Sequence, residues 1–291
     1  MQLTNKFNLP QSIVNAVSND PYDNKGTLSV TTLLKAPYQR LLEVKHKDEI
    51  VEDVSDRIYS LLGQSVHHIL ERAGSEDDLV EKRFFTEIGG EKVSGQLDLL
   101  EADGTLCDFK VTSIWAVKAA MQDGKDEWEE QLNMLAYLAR QDGHGVKCLR
   151  IIAICRDWSP SGKKRDGDAY PQRVESIEFD LWDEARQLAF MEARVAAHIN
   201  PIPPPCTDKE CWTRDSVWAV HKKGRKSAMK LEPTEEAAVL WCTSKGHAVD
   251  EGGIYLEERI GERIRCESYC SVAPFCSHFT VTVKQPTLRK L

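Results

Sequence analysis

Membrane-length apolar runs are missing from this chain: no stretch approaches the ~20 residues that a spanning helix needs. The opening residues, MQLTNKFNLP, lack the basic-then-apolar pattern of a secretory leader. Positive charge is in deficit too, with 38 Lys and Arg against 46 Asp and Glu, a net charge of −8 and a pI near 5.6. A protein held to nucleic acid by bulk charge would be basic, so any such contact here must use local basic patches. There is no internal repeat, no long low-complexity tract and no GxxxxGK[ST] phosphate loop. These absences lead to the expectation of an intracellular protein without a membrane partner. Cysteine, by contrast, is plentiful, with nine residues. In an intracellular protein that number points to metal or cluster ligation before disulfides.

The 291 residues suffice for one large domain and an appendage. Residues 1–199 read as a mixed α/β core, and residues 200–291, after the stiff PIPPP break, as the appendage. Within the core, residues 1–27 are polar and expected to be loosely ordered in part. Ser29 or Thr31 caps a helix that Pro37 interrupts or restarts. Apolar spacing predicts a helix over 51–73 carrying Gly63, His67 and His68. Strands are expected over 79–88, 93–100 and 105–112. A long amphipathic helix over 126–140 contains Gln131. A buried strand follows over 147–155, then a polar loop over 158–172, a strand over 173–179 and a helix over 183–199. In the appendage a short helix is expected over 234–241, capped by Thr234. The alternation implies a mixed sheet flanked by helices.

Chemistry concentrates in VSGQLDLLEADGTLCDFKVT, residues 93–112. A three-residue loop ending in Gly104, the residue that takes positive φ at no cost, pairs Glu101 with Thr105. That register sets Asp98 opposite Asp108, with Cβ atoms about 4.5–5.5 Å apart. Lys110 stays on the face of Asp108. Opposed like charges destabilise a sheet, whereas a shared divalent cation turns the repulsion into a ligand set.

Four separate segments, taken together, resemble the RecB-like branch of the PD-(D/E)xK nucleases. Gly63-Gln64-Ser65-Val66-His67 is similar to the GxxxH helix of that family. Gly95-Gln96-Leu97-Asp98 resembles its first acidic strand, Asp108-Phe109-Lys110 its (D/E)xK strand, and Gln131-Leu132-Asn133 the start of its QxxxY helix. The family's Tyr falls at Leu135, so that motif is half present. Tyr137 is nearby on another helix face. The resemblance implies a restriction-endonuclease-like core and Mg²⁺- or Mn²⁺-dependent hydrolysis of DNA phosphodiesters, expected of an exonuclease in recombination, repair or phage DNA processing. His67, Asp98, Asp108 and the Phe109 carbonyl would hold the metal. Lys110 would orient water or stabilise developing charge, and Gln131 would position substrate or water. It also implies a phage-encoded or prokaryotic protein, cytoplasmic in the cell or infected host, with recombination or replication proteins as further partners.

Cys266-x3-Cys270-x5-Cys276 is similar to the C-terminal cysteine clusters of related nucleases, which hold a [4Fe–4S] cluster. The N-terminal cysteine of those clusters is absent, because the matching segment is Ala36-Pro37-Tyr38. Cys206 is the expected fourth ligand, with Cys211 and Cys242 as alternatives and zinc as the competing occupant. Cys107, Cys148 and Cys155 sit in apparent strands and read as inert core residues. The basic run Lys222, Lys223, Arg225, Lys226 and Lys230 is the candidate DNA-binding patch. Two other readings fit the same residues: a non-catalytic DNA-binding or recombination accessory protein, and a zinc-stabilised interaction module.

Overall fold

Burial alternates residue by residue along Cys148–Cys155, and this strand lies inside the larger of the sheets. The computed structural model describes residues 2–18, 28–249 and 251–282. It divides into two bodies, Met1–Arg40 with Val51–Pro203, and Leu41–Ile50 with Pro204–Leu291. The boundary expected at 199/200 is therefore corrected. A ten-residue segment from near the start joins the C-terminal body, a long-range pairing that local composition does not encode.

The first body begins with β1 (Gln2–Thr4), α1 (Gln11–Ser18), β2 (Leu28–Ser29), α2 (Val30–Leu34) and α3 (Pro37–Lys45), whose residues from Leu41 on belong to the second body. Ser29 caps α2 by accepting from the Thr32 N–H, and Pro37 opens α3. Next come β3 (Val51–Asp53), α4 (Ile58–Glu71), β4 (Leu79–Val80), β5 (Arg83–Ile88), β6 (Glu91–Gln96), β7 (Leu99–Leu100) and β8 (Thr105–Thr112). The body closes with α5 (Ile114–Asp123), α6 (Asp126–Gln141), β9 (Cys148–Cys155), α7 (Pro160–Asp166), β10 (Val174–Phe179) and α8 (Glu184–Ile199).

The larger sheet has the order β10-β9-β8-β7-β4. Strands β8 and β9 are parallel, and their connection passes through α5 and α6, the long crossover that parallel neighbours require. A second sheet, β2-β6-β5, lies under α6. That helix buries residues around its circumference, among them Trp128, Leu132, Asn133, Leu135 and Leu138. The amide of Asn133 is fully used inside: Nδ2 donates to the Glu129 and Asp180 carbonyls, and Oδ1 accepts from Trp182 N and Gln187 Nε2.

Four expectations for this body need correction. The helix expected over 51–73 starts at Ile58, because Val51–Asp53 pairs in parallel with β1 and Asp53 caps a 3₁₀ turn over Val54–Arg57. The strand expected over 93–100 breaks at Leu97–Asp98: β6 pairs with β5, and β7 with β8 and β4. The strand expected over 79–88 breaks likewise, at Glu81–Lys82. Residues 158–172 hold α7, capped by Ser159 with Pro160 in its first turn.

The second body contains α9 (Asp208–Cys211), β11 (Val217–Lys222), β12 (Lys230–Glu232), α10 (Glu235–Ser244), β13 (Ile254–Arg259), α11 (Ile264–Ser268) and α12 (Ser277–Thr282). Its antiparallel sheet, β12-β11-β13, is backed by α10, which Thr234 caps. The core is small: Val220, Ala238, Cys242 and Ile254, with Trp218, Met229, Trp241 and Leu256 against them.

Candidate metal centre

The loop between β7 and β8 has the register expected of it. Glu101 N donates to Thr105 O at 2.9 Å, Gly104 takes φ of +93°, and Leu99 faces Cys107. Asp98, one residue before β7, is thereby brought beside β8, and its Oδ2 accepts from Phe109 N at 2.7 Å. His67 reaches the same place from α4. Its Nε2 lies 3.1 Å from the Phe109 carbonyl, and its Nδ1 lies 3.4 Å from Asp98 Oδ1 and 3.5 Å from Glu81 Oε1.

Glu81 is the residue that sequence reasoning missed. It sits between β4 and β5 at φ of +49°, a left-handed conformation uncommon outside glycine and found disproportionately at functional sites. Gln96 Nε2 donates to Glu81 Oε2, and Arg83 donates to Gln96 Oε1 at 2.8 Å, so the carboxylate is held from behind. Only the run of polar residues in an otherwise strand-like segment hints at it. His67, Glu81 and Asp98 each offer a ligand atom, and these atoms all lie within 4.8 Å of one another.

Asp108 stands beside this group in a second set of contacts. Lys110 Nζ is 2.7 Å from its Oδ2, Gln131 Nε2 donates to its Oδ1 at 2.7 Å, and Lys110 donates to Gln131 Oε1 at 2.9 Å. The Asp108 carboxylate is buried, and Oδ2, though close to the ammonium, receives no well-directed hydrogen bond. Burial pushes its pKa up, Lys110 opposes this, and the charge on Asp98 adds to it; the net direction is upward. Hydrogen bonds to Asp98 and then Glu81 push His67 up to about 10.

These residues line a cleft of about 410 Å³ that also takes in Lys35, Arg83 and Gly95. Leu135, which stands at the tyrosine position of the resembled QxxxY motif, is fully buried against Gly95. Tyr137 lies elsewhere, near Glu184 and Glu192. His68 is exposed and pairs with Glu71.

In the second body Cys206, Cys266, Cys270 and Cys276 are close enough to act on one another electrostatically, and Cys211 is among them. Burial first, then neighbouring thiols and acids, push Cys206 up to about 12; burial and Cys211 do the same to Cys266. Pairing of Thr213 with Arg263 and of Arg214 N with Glu262 O brings the two ends of this segment together. Cys242 is in the apolar core and away from them. Cys107 and Cys155 are buried in β8 and β9 of the first body, with Cys148 half-buried. The basic run forms the turn from β11 to β12, with Lys222, Lys223, Arg225 and Lys226 exposed.

No described helix is long and apolar enough to cross a membrane. No family profile matches this chain, and no curated protein matches it. Among solved structures, the crystal structure of SSO0001 aligns with 69% of this chain and 88% of its own, at 18% identity and a TM-score of 0.45.

Proposed function

We propose that this chain is a metal-dependent deoxyribonuclease of the RecB-like PD-(D/E)xK kind, with a restriction-endonuclease-like core, acting as an exonuclease. One observation carries the reading: ligand atoms of His67, Glu81 and Asp98 lie within 4.8 Å of one another, next to a lysine tied to Asp108 and Gln131. Three carboxylates and an imidazole suit a hard divalent ion, and the underused Oδ2 of Asp108 is the kind of buried acceptor a cation would complete. His67, Glu81 and Asp98 would hold Mg²⁺ or Mn²⁺, with Asp108 beside them. When bound, such an ion supplies an acidified water and positive charge against phosphate oxygens.

The chain's own residues do the rest. The Phe109 carbonyl takes His67 Nε2–H and leaves Nδ1 toward the carboxylates. Phe109 N–H orients Asp98. Lys110 places a positive charge where negative charge develops on the phosphate. Gln131 acts through its neighbours, holding Lys110 and Asp108 in register.

Cys206, Cys266, Cys270 and Cys276 would hold a structural [4Fe–4S] cluster, with Cys211 as the alternative to Cys206 and zinc as the competing occupant. Anaerobically purified protein should be brown, and replacing Cys266, Cys270 or Cys276 should bleach it; colourless protein with stoichiometric zinc would favour zinc. Lys222, Lys223, Arg225 and Lys226 would contact DNA phosphates, giving affinity that weakens with salt.

The deciding experiment is a time course on end-labelled linear and closed circular DNA with Mg²⁺ and Mn²⁺. Linear DNA should release nucleotides and the circle should survive. Asp98→Ala and Asp108→Ala should abolish cleavage, and Lys110→Ala should lower it by roughly 10²–10³-fold, the loss typical of removing one charge-stabilising group. Wild-type rates from Asp108→Ala would sink the assignment.

A further inference from the structure

A second cleft, of about 560 Å³, lies across His67 and Lys110 from the acidic one. Its volume is within the range of small-molecule sites. The two clefts differ in charge. Glu81, Asp98 and Asp108 line the first, whereas none of the described residues lining the second is a carboxylate. Ser60, Gly63, Gln64 and His67, at helical spacing, give α4 one continuous face toward it, opposite Phe109 and Lys110 on β8. Arg57 at its rim is fixed in place, with Nε 2.7 Å from Glu52 Oε2 and Nη1 donating to Val17 O.

Gly63 is the telling residue. Glycine is disfavoured in a helix interior unless something requires it. At Gly95 the requirement is internal, since an added Cβ would lie within 2.9 Å of Leu135, Leu138 and Val30. At Gly63 an added Cβ would meet nothing within 4 Å. Packing within the fold does not call for glycine at this position, and the missing side chain leaves the cleft open along α4.

We infer that this cleft binds a nucleotide 5′-phosphate and its sugar, the unit adjoining the bond broken at the metal centre. Ser60, Gln64 and Lys110 offer donors to the phosphate, Arg57 adds charge at the rim, and Phe109 gives apolar contact. The inference rests on the nuclease reading and specifies where the substrate sits within it.

The test uses the full-length protein with Ca²⁺, and thymidine 5′-monophosphate as the probe with thymidine as its control. Gly63→Leu fills the cleft and should weaken monophosphate binding by about tenfold or more, the scale of losing one well-made phosphate contact. Gly63→Ala leaves most of the space and should bind nearly as wild type. Mn²⁺ affinity should be unchanged in both variants, and the thermal midpoint should hold or rise, since alanine and leucine favour a helix interior over glycine. Wild-type protein that does not prefer the monophosphate to thymidine overturns the proposal. So does Gly63→Leu with wild-type affinity, or equal losses in the two variants. None of these readouts needs turnover, so they stay separate from the nuclease reading, which fails on an inert wild-type protein.

Discussion

His67 must change protonation state to act as a ligand. Hydrogen bonds to Asp98 and Glu81 keep a proton on the ring up to about pH 10, and a metal-bound imidazole must be neutral. Each ion bound at pH 7 should therefore release about one proton, and affinity should rise about tenfold per pH unit through the neutral range. Calorimetric titration with Mn²⁺ in buffers of different ionisation heat measures this directly; uptake of metal with no proton released would remove His67 Nδ1 from the ligand set. Glu81→Gln keeps the volume and the contact to Gln96 but loses a charge. Metal affinity should fall by about tenfold while the thermal midpoint holds, as expected of a ligand and not of a structural residue. Asp98, Asp108 and Lys110 were legible because strand alternation and Gly104 fix their relation over thirteen residues. Glu81 was not, because a positive φ and a strand break aim its side chain, and neither has a compositional signature.

Among the elements, α6 and β6 show how the site is held in place. Gly95 lets the helix close on the sheet, and its neighbour Asp98 and the helix residue Gln131 then share one cleft. Gly95→Ala would put a methyl 2.7 Å from Leu135 Cδ2 and from Leu138 Cδ1, in side chains with no room to yield. Overpacking of this kind costs about 1–3 kcal/mol. The unfolding free energy from a urea titration should drop by that amount, with the midpoint lower and the denaturant slope unchanged, and an unaltered midpoint would mean that α6 can shift away. Long periodic elements such as α6, α8 and β9 could be read from sequence, because one face or both must be apolar. The short ones could not. Residues 51–53 become a strand only because β1 pairs with them, and α7 is announced by Ser159-Pro160 alone within a charged stretch. Tertiary partners decide such segments, and no local pattern carries them.

At the scale of the whole molecule, two bodies with separate cores should unfold in separate transitions. His198, on α8 of the first body, makes one of them sensitive to acid. The ring is buried, with Nε2 3.3 Å from the Leu33 carbonyl and Arg194 and Arg40 close by. Burial first, then those two cations, depress its pKa from 6.5 to about 4. Between these values the unfolded chain binds a proton that the folded one refuses, so stability is complete above pH 6.5 and is lost as pH falls toward 4. At pH 5 the loss from this residue should reach about 2 kcal/mol at most. Scanning calorimetry from pH 7.5 to 5, with chelator present so that metal linkage plays no part, should lower the first-body transition more than the second. Gly95→Ala identifies that transition by shifting it alone. His198→Gln keeps a donor for Leu33 and has no proton to take up, so it should flatten the acid limb between pH 6.5 and 5. An acid limb of equal slope in wild type and His198→Gln would place the sensitivity in other groups of the first body.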